Sequence, residues 1–388
     1  MPAEWAPHAA TWLAWPHERS DWPGKFQPIP WVVAEIVRYL ARHERVELIV
    51  QDEAEERRAR SILSRADALI EPNKITLSDQ GRGVRFHRWP TDRMWLRDSG
   101  AIFVTKFEGD GLHANPARIG FETEGLQALR CSPEEEGALA PEGLRPIDFR
   151  FNAWAKYDNW KLDNQLPQRI AKVLKLQTVK AETQNNGKPH HFVLEGGSID
   201  TNGKGTLLTT EECLLSPIQQ RNPGLTREQV EQTLCDYLGL TKIVWLDRGI
   251  VGDDTHGHVD DITRFVSENT VVTVVEPNTA DPNHEPLAEN LRRLKSATDQ
   301  DGRKLHIVEL PMPAPVIFRG QRLPASYANF YIANGVVLVP VFNDPNDRIA
   351  LNILSDVFST RDVVGIYCRD LVWGLGTIHC MTQQQPAV

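Results

Sequence analysis

The sequence predicts an α/β fold in which five strand–strand–helix–strand units close into a ring around one centre. Three observations lead there. The same order of elements recurs along the chain. The two chain ends supply complementary parts of one more unit. A polar residue that strand propensity does not explain stands at a matching place in each unit.

The clearest unit lies near the C-terminus. Residues 328–332 and 336–341 are apolar runs rich in β-formers, and Asn334-Gly335 between them is a strong hairpin signal. Ile349, Leu351, Ile353, Leu354 and Val357 then give residues 345–359 a broad helical apolar face, and 363–367 reads as a strand. The preceding segment repeats the order, with strands at 262–266 and 271–275 around a polar turn, a helix at 287–294 and a strand at 305–310. Before it come strands at 191–194 and 206–208, a helix at 226–238 opened by a Thr226 cap, and a strand at 243–246. The chain ends make a fourth unit: 377–381 as its first strand, 11–15 as its second, a helix at 32–40 and a strand at 46–50. Residues 95–180 hold a fifth, less regular copy, and the Pro- and Glu-bearing stretch 131–146 reads as a surface loop. A ring closed by the termini leaves no exposed sheet edge, which favours a single domain over residues 1–388.

Composition narrows the function. Lys plus Arg number 43 against 52 Asp plus Glu, a net charge of −9. Such a surface repels phosphate backbones and suits a cationic small molecule. No apolar run approaches the roughly 18 residues of a membrane span. The first five residues lack a basic region and an apolar core, so no secretory signal and a cytoplasmic location are expected. The five cysteines show no CxxC pair and read as reduced thiols rather than a disulfide framework.

The matching polar residues are Asp98 in Trp95-Leu96-Arg97-Asp98-Ser99-Gly100, Glu195 in Leu194-Glu195-Gly196-Gly197-Ser198, His258 and Asp260 in Gly257-His258-Val259-Asp260, Asn329, and Cys380. Each has an ordinary structural explanation alone. A ring would bring equivalent positions together, so carboxylates, a histidine and a thiol would converge. Gly374 and Gly376 just before the thiol permit close backbone approach and loop motion around a substrate. Strand alternation would put His258 and Asp260 on one face and His379 on the face opposite Cys380. The string from His256 to Asp261 is similar to the HxHxDH zinc motif of metallo-β-lactamase-like hydrolases, but Asp261 stands where that motif has His. Of eleven tryptophans, Trp12, Trp15, Trp22, Trp95 and Trp373 lie near these motifs. Core packing accounts for most, and a minority would meet a cation through the ring face.

Together these motifs carry a resemblance. Met1-Pro2-Ala3-Glu4-Trp5 with Thr11-Trp12-Leu13-Ala14-Trp15-Pro16, then the three segments quoted above and Ile378-His379-Cys380-Met381-Thr382-Gln383-Gln384, resemble in order the signatures of the agmatine deiminase and Porphyromonas-type peptidyl-arginine deiminase family. The resemblance spans nearly the whole chain. It implies the pentein fold, a five-bladed α/β propeller with a central active site. It also implies Cys380 as nucleophile, His258 as general acid/base, Asp98 and Asp260 as guanidinium ligands, and Glu195 as the acid near the histidine. Trp95, Asn329, Gly374 and Gly376 are further candidate substrate contacts. Asp200, where agmatine deiminases often have His, and His256, where Asn is common, are departures that leave the exact substrate open.

The implied activity is hydrolysis of agmatine to N-carbamoylputrescine and ammonia, a step of putrescine and polyamine synthesis. No metal or organic cofactor is implied. The expected partner is a small cationic guanidino substrate, with further copies of the chain an open option and neither nucleic acid nor membrane expected. The alternatives are deimination of peptidyl or free arginine, an amidinotransferase, a zinc hydrolase, or a silent binding module.

Overall fold

The computed structural model describes residues 1–68, 83–105 and 143–388. Five mixed sheets carry the fold, and in each a middle strand pairs antiparallel on one side and parallel on the other, with a helix crossing between the parallel pair. In the sheet of the chain ends, Gln383–Pro386 pairs antiparallel with His8–Ala14, which pairs parallel with Arg45–Val50 beyond the helix Ile29–His43. The same arrangement joins Ile102–Thr105, Leu144–Asp148 and Val179–Lys180, with helix Leu166–Leu174. It recurs in Asp200–Thr201, Thr206–Thr210 and Lys242–Leu246, with helix Arg227–Leu238. Thr263–Phe265, Thr270–Val275 and His306–Pro311 repeat it with helix His284–Ser296. Tyr331–Ile332, Val336–Val341 and Asp362–Tyr367 repeat it with helix Pro345–Val357.

Local chemistry fixes these elements. Thr226 Oγ1 accepts from the Gln229 amide while Gln229 Oε1 accepts from the Thr226 amide, a reciprocal cap that starts its helix; Gly239 ends it in the left-handed region at φ 68°. Asp344 and Asp347 cap the helix Pro345–Val357 in the same way, with Pro345 supplying a preset φ at its start. The middle strands are sandwiched between the helices and the interior. Val336–Val341 is accordingly buried along all but its last residue, the pattern of a strand covered on both faces. One face of helix Ile29–His43 buries Ile29, Val33, Ile36, Val37 and Leu40. No helix among the described residues is long and apolar enough to cross a membrane.

Several expectations are corrected. Residues 191–194 are not a first strand. Lys188–His191 folds back on Glu182–Asn185 as a hairpin, Val193 makes a single bridge to Arg150, and the true partner of Thr206–Thr210 is Asp200–Thr201. The turn at Gly196–Ser198 intervenes between them. Residues 377–381 are not a strand either. Ile378–Met381 is one helical turn, and the strand is the glutamine-rich Gln383–Pro386 that follows. Side-chain hydrogen bonds hold the buried glutamines: Gln385 accepts from the Trp12 indole, Gln384 accepts from Arg97, and Gln383 donates to the Ala101 carbonyl. Most of the stretch expected as a loop at 131–146 lies outside the described residues, but its last residues belong to strand Leu144–Asp148. The helix Glu53–Ala68 and the outer strand Gly83–Arg88 had no sequence expectation.

Candidate active site

The candidate residues stand not on the first strands but in single turns just before them. Asp98 lies in Leu96–Ser99, ahead of Ile102–Thr105, and Glu195 caps Gly196–Ser198, ahead of Asp200–Thr201. His258 caps Val259–Asp261, which contains Asp260 and precedes Thr263–Phe265. Asn329 precedes Tyr331–Ile332, and Cys380 lies in Ile378–Met381, ahead of Gln383–Pro386. All six residues are buried.

Gly197 is the point where three of them meet. A Cβ there would lie 2.5 Å from His258 Nδ1, 2.9 Å from Asp98 Oδ1 and 3.0 Å from Asp260 Oδ2. Only a residue without a side chain lets these groups close on one another, and the Gly197 amide itself donates to Asp98 Oδ1 at 3.0 Å. His258 sits between two carboxylates: Nδ1 is 3.8 Å from Asp98 Oδ1 and Nε2 is 3.6 Å from Glu195 Oε2. These are charge contacts just beyond hydrogen-bond length, and neither ring nitrogen has a hydrogen-bond partner among the described residues.

The charges are strongly coupled. Burial alone would lower the His258 pKa, but Asp98, the Cys213 thiol and Glu195 outweigh it and hold the imidazole well above its usual range. Burial pushes Asp98 up to about 6, the cation of His258 opposing and the charges of Asp260 and Glu195 adding. For Glu195 burial is overcome by Arg221 and His258, so its pKa is lowered; Arg221 Nε donates to both of its oxygens, at 3.0 and 3.2 Å. For Asp260 burial is overcome by His379, His258 and Arg264, so it too is lowered. Asp261 is driven well above the carboxylate range by burial and by Asp260 and Asp253. The Cys380 thiol is pushed well up by burial and by Asp260, Asp261 and Asp98.

A cavity of about 380 Å³ reaches the thiol. Among the expected residues, Cys380, Asp98, Trp95, Gly374 and Gly376 line it, together with Asp21, Arg93, Trp154, Tyr157 and Asp254. His258, Asp260, Glu195 and Asn329 are not among its lining residues. Asn329 holds the thiol instead: its Nδ2 donates to Cys380 Sγ at 3.0 Å and to Asp261 Oδ1 at 3.0 Å. Gly374 packs against Trp22, and Gly376 against Trp95 and Cys380 Cβ. Trp12 and Trp22 are core residues. The departures at Asp200 and His256 are off the cavity. Asp200 pairs with buried Arg264, and His256 turns to Ser216.

Sequence reasoning missed the groups that hold this set. Trp154 Nε1 donates to Asp98 Oδ2 at 2.8 Å. His379, read as facing away on a strand, turns in its helical turn onto Asp260, with Nδ1 2.7 Å from Oδ2. Glu4 reaches the other ring nitrogen. The short His-x-His string was the one visible sign of a metal, and its histidines diverge. Two other groups of possible ligand atoms lie within 4.8 Å of one another, Glu195 with Cys213 and His258, and Asp260 with Asp261 and Cys380. The first already carries the Arg221 guanidinium on its carboxylate.

A thiol and a carboxylate line a cavity of acids and aromatics, and a second carboxylate and an imidazole meet that carboxylate at Gly197, an arrangement suited to a planar cation. The family model of the Porphyromonas-type peptidyl-arginine deiminases matches residues 1–386, and the chain belongs to that family. The agmatine deiminase of Stutzerimonas stutzeri is 33% identical, in an alignment covering 100% of this chain and 95% of that protein. The agmatine deiminase of Pseudomonas aeruginosa is also 33% identical over the same shares. Among solved structures, the agmatine deiminase of Enterococcus faecalis superposes with a TM-score of 0.80 at 28% identity, covering 100% of this chain and 95% of that one.

Proposed function

We propose that this chain is a hydrolase that converts agmatine to N-carbamoylputrescine and ammonia. The observation that carries the reading is that Asp98 belongs to two groupings: it meets His258 and Asp260 at Gly197, and it lines one cavity together with Cys380. A planar guanidinium presents forked N–H donors that two carboxylates match, leaving its carbon open to sulfur. In the free protein the thiol stays protonated, because burial and three acids surround it. An arriving guanidinium offsets those acids, and the thiol releases its proton to solvent. The thiolate adds to the guanidinium carbon. Protonated His258 gives its proton to one amino nitrogen, the C–N bond breaks and ammonia leaves. An amidino-cysteine cation and a neutral imidazole remain. His258 then takes a proton from water, hydroxide adds to the same carbon, and the C–S bond breaks. The hydroxyl proton passes to solvent, where the ammonia already released takes it up as ammonium, leaving the ureido product and the Cys380 thiolate.

Acids and aromatics in the cavity favour agmatine, whose far end is an ammonium. Asp21, Asp254, Trp154 and Tyr157 all stand there. Arg93 would favour arginine, since a guanidinium suits an α-carboxylate, but its pair with Asp21 offsets both charges, as the Lys156–Asp254 pair does, and the faces of Trp154 and Tyr157 remain to meet an ammonium. The names of the relatives point the same way. As for architecture, we read the five units as blades of one closed pentein propeller in a single domain over residues 1–388. What supports this is that the chain ends share a sheet and that four separate turns, each ahead of a first strand, carry candidate residues. Product analysis with purified protein on agmatine, arginine and an arginyl peptide tests the reading. N-carbamoylputrescine from agmatine at the highest kcat/KM supports it, and preferential formation of citrulline overturns it.

A further inference from the structure

We propose that His379 is a positioning residue for Asp260: the buried chain Glu4–His379–Asp260 ties down one carboxylate oxygen and leaves the other to receive the substrate's guanidinium. The proposal rests on the assignment of Asp260 as a guanidinium ligand made above. His379 Nδ1 lies 2.7 Å from Asp260 Oδ2 and Nε2 lies 2.8 Å from Glu4 Oε2. All three residues are buried. Oδ1 of Asp260 has no hydrogen-bond partner among the described residues, which is costly for a buried carboxylate oxygen unless a ligand supplies donors.

The far end of the chain is rigid. Glu4 is held by Arg264 at 2.9 Å, by Arg97 at 3.2 Å and by the Ile332 amide at 2.9 Å. Arg264 is in turn fixed to Asp200 and to the Phe330 carbonyl. A ring clamped this way fixes the rotation of the Asp260 carboxylate. It also matters which oxygen is tied. Oδ2 is the oxygen to which the Cys380 thiol also donates, at 3.9 Å. The ring's donor on Oδ2 takes up part of the negative charge that faces the sulfur. The segment that supplies Glu4 thereby acts on the site through His379.

Two substitutions separate this role from a purely structural one. In His379→Asn the amide nitrogen falls near the place of Nδ1, keeping a donor for Asp260 and losing Glu4. In His379→Gln it reaches the place of Nε2, keeping Glu4 and losing Asp260. Agmatine binding is measured by calorimetry in the Cys380→Ala protein, with each thermal midpoint alongside. His379→Gln should weaken binding roughly tenfold to a hundredfold, as loss of an outer partner does at ligand sites, and His379→Asn should stay within a few-fold. In the active protein, His379→Gln should raise KM more than it lowers kcat. Equal losses, or a greater loss in His379→Asn, would mean that the ring serves only to anchor Glu4, and the proposal falls. If Cys380→Ala with His379 intact binds no agmatine, it is the functional reading that fails. Should neither variant fold, the ring N–H resonance of His379 in Cys380→Ala carries the test. It should move on agmatine binding, and an unchanged resonance overturns the proposal.

Discussion

Replacing Gly197 by alanine adds a single methyl group at the convergence of the site. The added carbon would lie 2.5 Å from His258 Nδ1, 2.9 Å from Asp98 Oδ1 and 3.0 Å from Asp260 Oδ2, where ordinary contact begins at 3.4 Å. No one neighbour can yield freely, because Asp98 is held by the Trp154 indole, Asp260 by His379 and the histidine by two walls of acid. The three groups must spread by roughly half to one ångström, and a displacement of about 1 Å in reacting groups costs on the order of a hundredfold in rate. The expected loss in kcat/KM on the preferred guanidino substrate is therefore about 10²-fold. Overpacking a filled interior costs about 1–3 kcal/mol in stability, so the protein should remain folded with a lowered midpoint. Steady-state kinetics and calorimetric melting on one preparation read both quantities. A folded Gly197→Ala protein with near-normal kcat/KM would refute the claim that these three groups act from the positions described.

Three further outcomes are expected. Asp98→Asn and Asp260→Asn each remove a buried charge that faces the substrate, at a cost of about 2–5 kcal/mol, or roughly thirtyfold to several thousandfold; kcat/KM should fall on agmatine and arginine alike, and an altered preference between them would assign the residue to the far end of the substrate instead. Asp98 must be ionised to hold the cation and its pKa is raised to about 6, so kcat/KM should rise with pH through about 6, and in Asp98→Asn this limb should vanish. Exhaustive chelation should leave activity unchanged, checked by elemental analysis of the treated protein, because a thiolate nucleophile does not require metal-bound hydroxide.

What the sequence disclosed, and what it hid, follows from how local each signal is. The helices at 226–238 and 345–357 carry their own start signals in Thr226 and Asp344, and the Asn334-Gly335 turn announces its hairpin within a few residues. Most middle and parallel strands are apolar runs that need no context, whereas Leu144–Asp148, Val179–Lys180 and Gly83–Arg88 are too mixed to read that way. The first strands are another matter. Asp200–Thr201 and Tyr331–Ile332 are two residues long, and Gln383–Pro386 has no apolar alternation at all. Their partners come from across the sheet, so the polar motifs were placed on strands when they occupy the turns before them. That error hid His379, because strand alternation and a helical turn aim neighbouring side chains differently. Glu4 had no local signal, being joined to His379 only by the fold across nearly the whole chain. Asp98, Glu195, His258, Asp260 and Cys380 were visible because each sits in a string too polar or too glycine-rich for the strand it interrupts.

The central claim is that Cys380 forms the covalent intermediate, and ammonia release from agmatine by a purified Cys380→Ala protein tests it most directly. The thiol is wedged between Asn329 and the cavity, and removing one sulfur leaves the surrounding hydrogen bonds of the turn in place. The variant should melt close to the parent temperature, still bind agmatine, and release no ammonia above the rate of a protein-free control. Substantial release by the folded variant would contradict the account, because water would then reach the guanidinium carbon without sulfur.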